Sequence, residues 1–135
     1  MSANARIFDG PLDGIPAPTP HPAVGAVLVF EGRIRPTEAA QTITAIDYET
    51  YDPMAERMLG ELARQALEKF GLLAVQALHS RGRVGVGQCS FRLWIASTHR
   101  REGLDAMDWF IDTLKRDVPI WKRPVFVESG AGATP

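Results

Sequence analysis

The chain has 135 residues, with 15 Lys+Arg against 16 Asp+Glu, a net charge of −1, 45% hydrophobic residues and one Cys. The length suits a single domain, which would bury roughly 65–70% of the surface its unfolded chain exposes, enough for a core without disulfides or a structural metal. One Cys and no Cys/His set with metal-ligand spacing exclude a stapled secreted scaffold and a zinc finger, and the expected setting is a reducing cytoplasm.

Residues 1–22 are expected to form a Pro/Gly-rich N-terminal arm. Pro11, Pro16, Pro18, Pro20 and Pro22, with Gly10 and Gly14, deny regular helix to residues 9–22 and leave an extended or loose lead-in. The same stretch lacks a basic start followed by an apolar run, so neither export nor membrane insertion is expected. A single domain over residues 23–128 follows, with Ser129–Pro135 as a small-residue tail expected to be mobile.

Val24–Phe30 is apolar on both alternating faces, which predicts a strand covered on both sides. Gly32 would allow a bend there that lets Arg33 or Arg35 project. Arg35–Gln41 reads as a polar loop, and β-branched and aromatic residues predict a second strand at Thr42–Tyr51. Asp52-Pro53 predicts a helix start, with Asp52 as cap and Pro53 at the first helical position. Met58, Leu62, Ala66 and Phe70, broadened by Leu59, Ala63 and Leu67, form its apolar stripe, and Gly71 ends it.

Residues 73–79 and 83–86 predict short strands around a Gly82 turn, with a further bend or bulge at Gly85 and Gly87. Cys89–Ala96 is a clearer strand, with Cys89, Phe91, Leu93 and Ile95 on one face, so Cys89 is expected to be an inert packing residue. A second helix is predicted from Thr98 or His99 to Asp117 on a stripe of Leu104, Met107, Ile111 and Leu114, stopped by Pro119. Val125–Val127 adds a short last strand. The order ββαβββα is an α+β plan, with two main helices on a mostly antiparallel sheet.

The neutral total conceals an asymmetry. Residues 1–60 carry 4 bases and 8 acids, residues 61–135 carry 11 and 8, and residues 81–123 carry 9 and 5. A balance of −1 excludes a general nucleic-acid coat, while the local excess suits one small anion. Three basic clusters are candidates. Arg33 and Arg35 follow the first strand. His99-Arg100-Arg101 lies at a helix start, where free backbone N–H groups and the helix dipole favour an anion. Lys115 and Lys122 flank a rigid Pro119-Ile120-Trp121 segment that could wall a pocket, and a lysine beside apolar walls and other cations tends toward a lowered pKa. Only three lysines occur in the chain, against 12 arginines.

Phe30-x-Gly32-x-x-Arg35, Tyr48-Glu49-x-Tyr51-x-Pro53-Met54-Ala55, the His79 to Gly87 strand pair, His99-Arg100, and Leu114-Lys115-x-x-Val118-Pro119-Ile120-Trp121-Lys122 run in this order over residues 23–123. In that pattern the chain resembles the large, catalytic subunit of molybdopterin synthase. The resemblance implies an α/β-hammerhead fold and a homodimer, with a small ubiquitin-like sulfur-carrier subunit docked at each end to give a heterotetramer. It implies a sulfurtransferase of molybdenum cofactor biosynthesis. The small subunit brings sulfur as a C-terminal thiocarboxylate, and two sulfurs pass to cyclic pyranopterin monophosphate to form a dithiolene. The chain then needs no cofactor and no metal of its own.

Carried over by position, the resemblance makes Lys115 and Lys122 catalytic. Lys115 would lie beside the thiocarboxylate carbonyl, stabilising negative charge or moving a proton, and Lys122 would face the pterin. His99 and Arg100 would bind the substrate phosphate, Arg35 would reach it from the neighbouring protomer, and Phe30 would shape the pocket. Where the family usually has an acid after the Trp-Lys-basic string, this chain has Pro124. A catalytically impaired scaffold or phosphate-ligand binding protein is the alternative. An RNA-binding module lacks aromatics interleaved with its arginines.

Overall fold

Three long strands form the centre of the molecule because they carry dense β-branched and apolar residues: β4 (Gln41–Thr50), β5 (Ala74–Gly85) and β6 (Cys89–Ser97). The computed structural model describes residues 1–127, so the expected tail at 129–135 lies outside the described residues. Around the three strands lie β1 (Ser2–Asp9), β2 (Ala26–Arg33), β3 (Thr37–Glu38), α1 (Met54–Lys69), α2 (Arg100–Asp117) and β7 (Ile120–Phe126). The sheet runs β2-β6-β5-β4-β3, with β1 added along β5 and β7 along β4. All pairings are antiparallel except β1 with β5. The α+β plan with two helices on a mostly antiparallel sheet is therefore the architecture of the chain.

Several elements differ from the sequence expectation. The arm is not a lead-in. Its first residues form β1, whose Ile7 is buried in the main core, and residues 10–25 strap the opposite face of the sheet. Leu12 is buried there, its N–H donates to the Cys89 carbonyl at 2.9 Å, and Gly25 N–H donates to Ser97 O at 3.0 Å. Prolines exclude regular pairing, yet carbonyl groups remain free to accept. Arg92 exploits this by donating to Ile15 O at 2.7 Å and Pro16 O at 3.2 Å.

β2 is an edge strand that packs only one face, through Leu28, on α2, and the expected two-sided cover is absent in a single chain: Val27 and Val29 on the other face are 45% and 51% exposed. The polar loop contains β3 and a two-residue turn, Ala39-Ala40, with φ of 52° and 62°. Asp52 does not cap α1; it pairs with Arg81 and accepts from Thr50 Oγ1 at 2.9 Å. The α1 stripe itself buries Leu59, Leu62, Ala63 and Ala66 as its spacing demands, and Gly71 follows with φ +62°.

The two short strands expected at 73–79 and 83–86 are one, β5, which passes through Gly82 at φ +85°. Its first half pairs with β1 and β6 and its second with β4. A bulge occurs where Gly32 and Arg33 of β2 face Phe91 and Cys89 of β6. There β6 advances two residues against one, which takes Cys89 out of the alternation. Phe91, Leu93 and Ile95 face the helices, while Cys89 packs with Leu12 and Leu78 beneath the strap.

On α2 the inner face is Gly103, Ala106, Phe110, Thr113 and Leu114, rotated from the expected stripe, and Leu104 is 50% exposed. Gly103 allows the close approach, since a Cβ there would lie 2.6 Å from Leu28 Cδ1. Val118 leaves helical geometry before Pro119, as expected. β7 then begins at Ile120, earlier than the Val125–Val127 strand expected, because it pairs with β4 along Ile43–Thr50. A second small core of Ile34, Ile43, Ile46 and Val84 sits under this part of the sheet. No helix among the described residues is long and apolar enough to cross a membrane.

Candidate functional site

A cavity of about 740 Å³ opens between the main core and this smaller one. Strands β4, β5 and β6 form its floor, and four further segments supply its rim. The bulged end of β2 supplies Phe30 and, beyond it, Arg35; β3 supplies Glu38; the last turns of α2 supply Ile111, Leu114 and Lys115; and β7 supplies Ile120 and Lys122. The bend expected at Gly32 takes the form of a bulge between Gly32 and Arg33, which turns the chain out of β2 toward Arg35. Pairing of Lys122 opposite Tyr48 carries Lys122 onto the cavity. Trp121, with the opposite strand parity, is 56% exposed and does not wall it, so the apolar wall of the Pro119–Trp121 segment is Ile120 alone.

Arg35, Phe30, Lys115 and Lys122 thus converge within one chain. Lys122 Nζ lies 3.2 Å from Glu38 Oε2, while Arg35 and Lys115 have no ion-pair partner among the described residues. Arg33 also lines the cavity, but its guanidinium is engaged there: it pairs with Glu31 at 2.8 Å and donates to Gly87 O at 2.9 Å. Arg35, Lys115 and Lys122 around a partly apolar hollow make a site for an anionic, partly apolar ligand.

His99 and Arg100 are not brought to this cavity. They are exposed at the start of α2, with His99 as N-cap residue, and its side chain makes no capping hydrogen bond. With a rise of 1.5 Å per residue, Arg100 and Lys115 stand about 22 Å apart along one straight helix. A single chain therefore holds two separate basic groups. Arg35, expected to come from a neighbouring protomer, shares a cavity with the lysines of its own chain.

The cavity also has a polar and aromatic lining that the sequence reading gave no role: Tyr48, His79, Ser90 and Phe91. His79 is 7% exposed and packs edge-on against Tyr48, with ring centroids 5.1 Å apart. Its Nδ1–H donates to the Ser80 carbonyl at 2.8 Å, and burial pushes the imidazole below its ordinary value, favouring the neutral ring. Tyr48 Oη and Ser90 Oγ are 2.9 Å apart. The available signal was strand parity, since Tyr48 and Ile46 share one face of β4. Cys89 is not on the cavity: burial raises its pKa, and its S–H donates to Phe91 O at 3.3 Å.

Comparison with known proteins identifies the family of the chain. Residues 12–117 match the family described as MoaE protein. A relative from Thermoplasma volcanium, described as a molybdopterin synthase catalytic subunit, is 37% identical over 112 residues, covering 83% of this chain and 81% of that protein. Several other relatives with that description are longer, and matches to them span 53% to 59% of their length. A molybdopterin synthase structure from Staphylococcus aureus superposes with a TM-score of 0.81 at 27% identity, covering 92% of this chain and 91% of that one. A chain in a complex of subunits 1 and 2 of molybdopterin-converting factor from Helicobacter pylori shares the fold, with a TM-score of 0.70 at 22% identity over 93% and 91% of the two chains. The match runs from the strap to the end of α2 and takes in Lys115 and the cavity strands before it; the chain belongs to the MoaE protein family.

Proposed function

We propose that this chain is the catalytic subunit of a molybdopterin synthase, a cytoplasmic sulfurtransferase of molybdenum cofactor biosynthesis. It takes sulfur from the C-terminal thiocarboxylate of a small ubiquitin-like partner and passes it to cyclic pyranopterin monophosphate. The observation that carries this reading is the convergence of Arg35, Lys115 and Lys122 on one cavity beside Phe30. Lys115, on the rigid end of α2, lies beside the thiocarboxylate carbonyl and stabilises the negative charge that develops there or moves a proton. Lys122 faces the pterin, and Phe30 closes the apolar side.

His99 and Arg100 hold the substrate phosphate. Because the length of α2 separates them from the lysines, they serve the cavity of a second copy, so the working unit is a homodimer, and a heterotetramer with two small subunits. The sulfur arrives on the partner, which is why a buried Cys89 outside the cavity is no obstacle, and no resident cofactor or metal enters the scheme.

The test is conversion of the pterin precursor with thiocarboxylated small subunit. Lys115→Ala is expected to abolish product while leaving the dimer intact, and unchanged turnover in that variant overturns the mechanism.

A further inference from the structure

Lys122 sits on β7, which pairs with the sheet only through β4, and its four-carbon stem would otherwise sweep a wide arc over the cavity. One contact limits that arc: Glu38 Oε2 lies 3.2 Å from Nζ. The two residues come from opposite edges of β4, because Ile43 N–H donates to Pro36 O on the β3 side while Thr42 O accepts from Val127 N–H on the β7 side. Glu38 therefore reaches across the face of β4, over the floor formed by Ile46 and Tyr48.

The carboxylate is the better-anchored member of the pair. Its side chain is 23% exposed against 53% for Lys122, and its backbone is held in a hairpin where Glu38 faces Gln41 and Thr37 faces Thr42. The hairpin closes immediately after it, at Ala39-Ala40. Glu31, the other carboxylate on the cavity wall, is committed to Arg33. Ion pairs this exposed add little to stability, so the consequence of the contact lies in where it places the ammonium.

We propose that Glu38 is a positioning residue for the sulfur-transfer site, holding the Lys122 ammonium over the cavity from across β4. This rests on the reading of the cavity given above. Small displacements of a group acting on reacting atoms cost rate far more than they cost binding.

The experiment compares wild type and Glu38→Gln in steady-state conversion of the pterin precursor, then repeats Glu38→Gln on a Lys122→Ala background under single-turnover conditions. Glu38→Gln is expected to lower kcat about tenfold with KM within about twofold. On the Lys122→Ala background it should cause no further loss, because the partner it positions is gone. An unchanged kcat, a rise in KM alone, or an equal loss on both backgrounds overturns the assignment. Absence of product from the wild-type protein would instead overturn the reading of the cavity.

Discussion

His79 is the residue whose environment makes the sharpest demand on solution conditions. It is buried on the cavity wall with its Nδ1 proton committed to Ser80 O, and burial holds it neutral in the folded chain. The unfolded chain takes up a proton below about pH 6.5. The folded state therefore binds fewer protons, so the His79 contribution is complete above that pH and is lost as the pH falls through it. Urea unfolding is expected to give a lower stability at pH 5.5 than at pH 7.5. His79→Gln should flatten that difference. The carboxylates held low by their partners, Asp13, Asp47 and Glu61, titrate below this window. The lysines were legible in the sequence because a rare residue type flanks a rigid Pro-Ile-Trp string. His79, Tyr48 and Ser90 were not given roles, because the residue order of a strand says which side chains share a face but not which face a cavity reaches.

At the scale of elements, α2 shows how far periodicity carries. Its extent followed from Pro119, yet its buried face did not follow from counting Leu, Met and Ile. Phe110 and the small residues Gly103 and Ala106 face the sheet, while Leu104 looks outward. Small residues carry little weight in a hydrophobic pattern but decide where a helix can approach a sheet closely. Phe110→Ala is expected to destabilise the protein by about 3–5 kcal/mol through loss of buried surface and the cavity left behind. Leu104→Ala should cost roughly 1 kcal/mol or less, half of its surface being already in solvent. Chemical denaturation of the two variants distinguishes this face from the one suggested by the apolar pattern. The strap is the other element that composition under-described. Five prolines exclude helix, but Leu12, Asp13 and Gly25 bind the segment to the sheet, with Cys89 N–H donating to Asp13 Oδ1 at 2.9 Å.

For the whole molecule, the separation of two basic groups by the length of α2 sets a requirement on assembly. If each cavity is completed by His99 and Arg100 of a second copy, Lys115→Ala and the double variant His99→Ala/Arg100→Ala are each inactive alone but complement when mixed. One of the two sites in each mixed dimer is then intact, and an equal mixture that exchanges subunits is expected to recover roughly a quarter of wild-type sites. No recovery after verified exchange would place the phosphate cluster and the lysines in separate functions. The predicted extent of α2 already implies this separation at about 1.5 Å per residue, whereas the gathering of Arg35 and Lys122 beside Lys115 follows from strand pairing that order along the chain does not reveal. The parallel pairing of β1 with β5 bears on synthesis instead. Ser2 lies opposite Ala74 and Asp9 opposite Arg81, so β1 leaves the ribosome about 70 residues ahead of the strand it pairs with. Through that interval Ile7 has no core to enter, and pairing of such distant segments is slow. The vulnerable period of this protein thus falls between the synthesis of β1 and that of β5, when a nascent β1 is exposed to chaperones, proteases and other nascent chains.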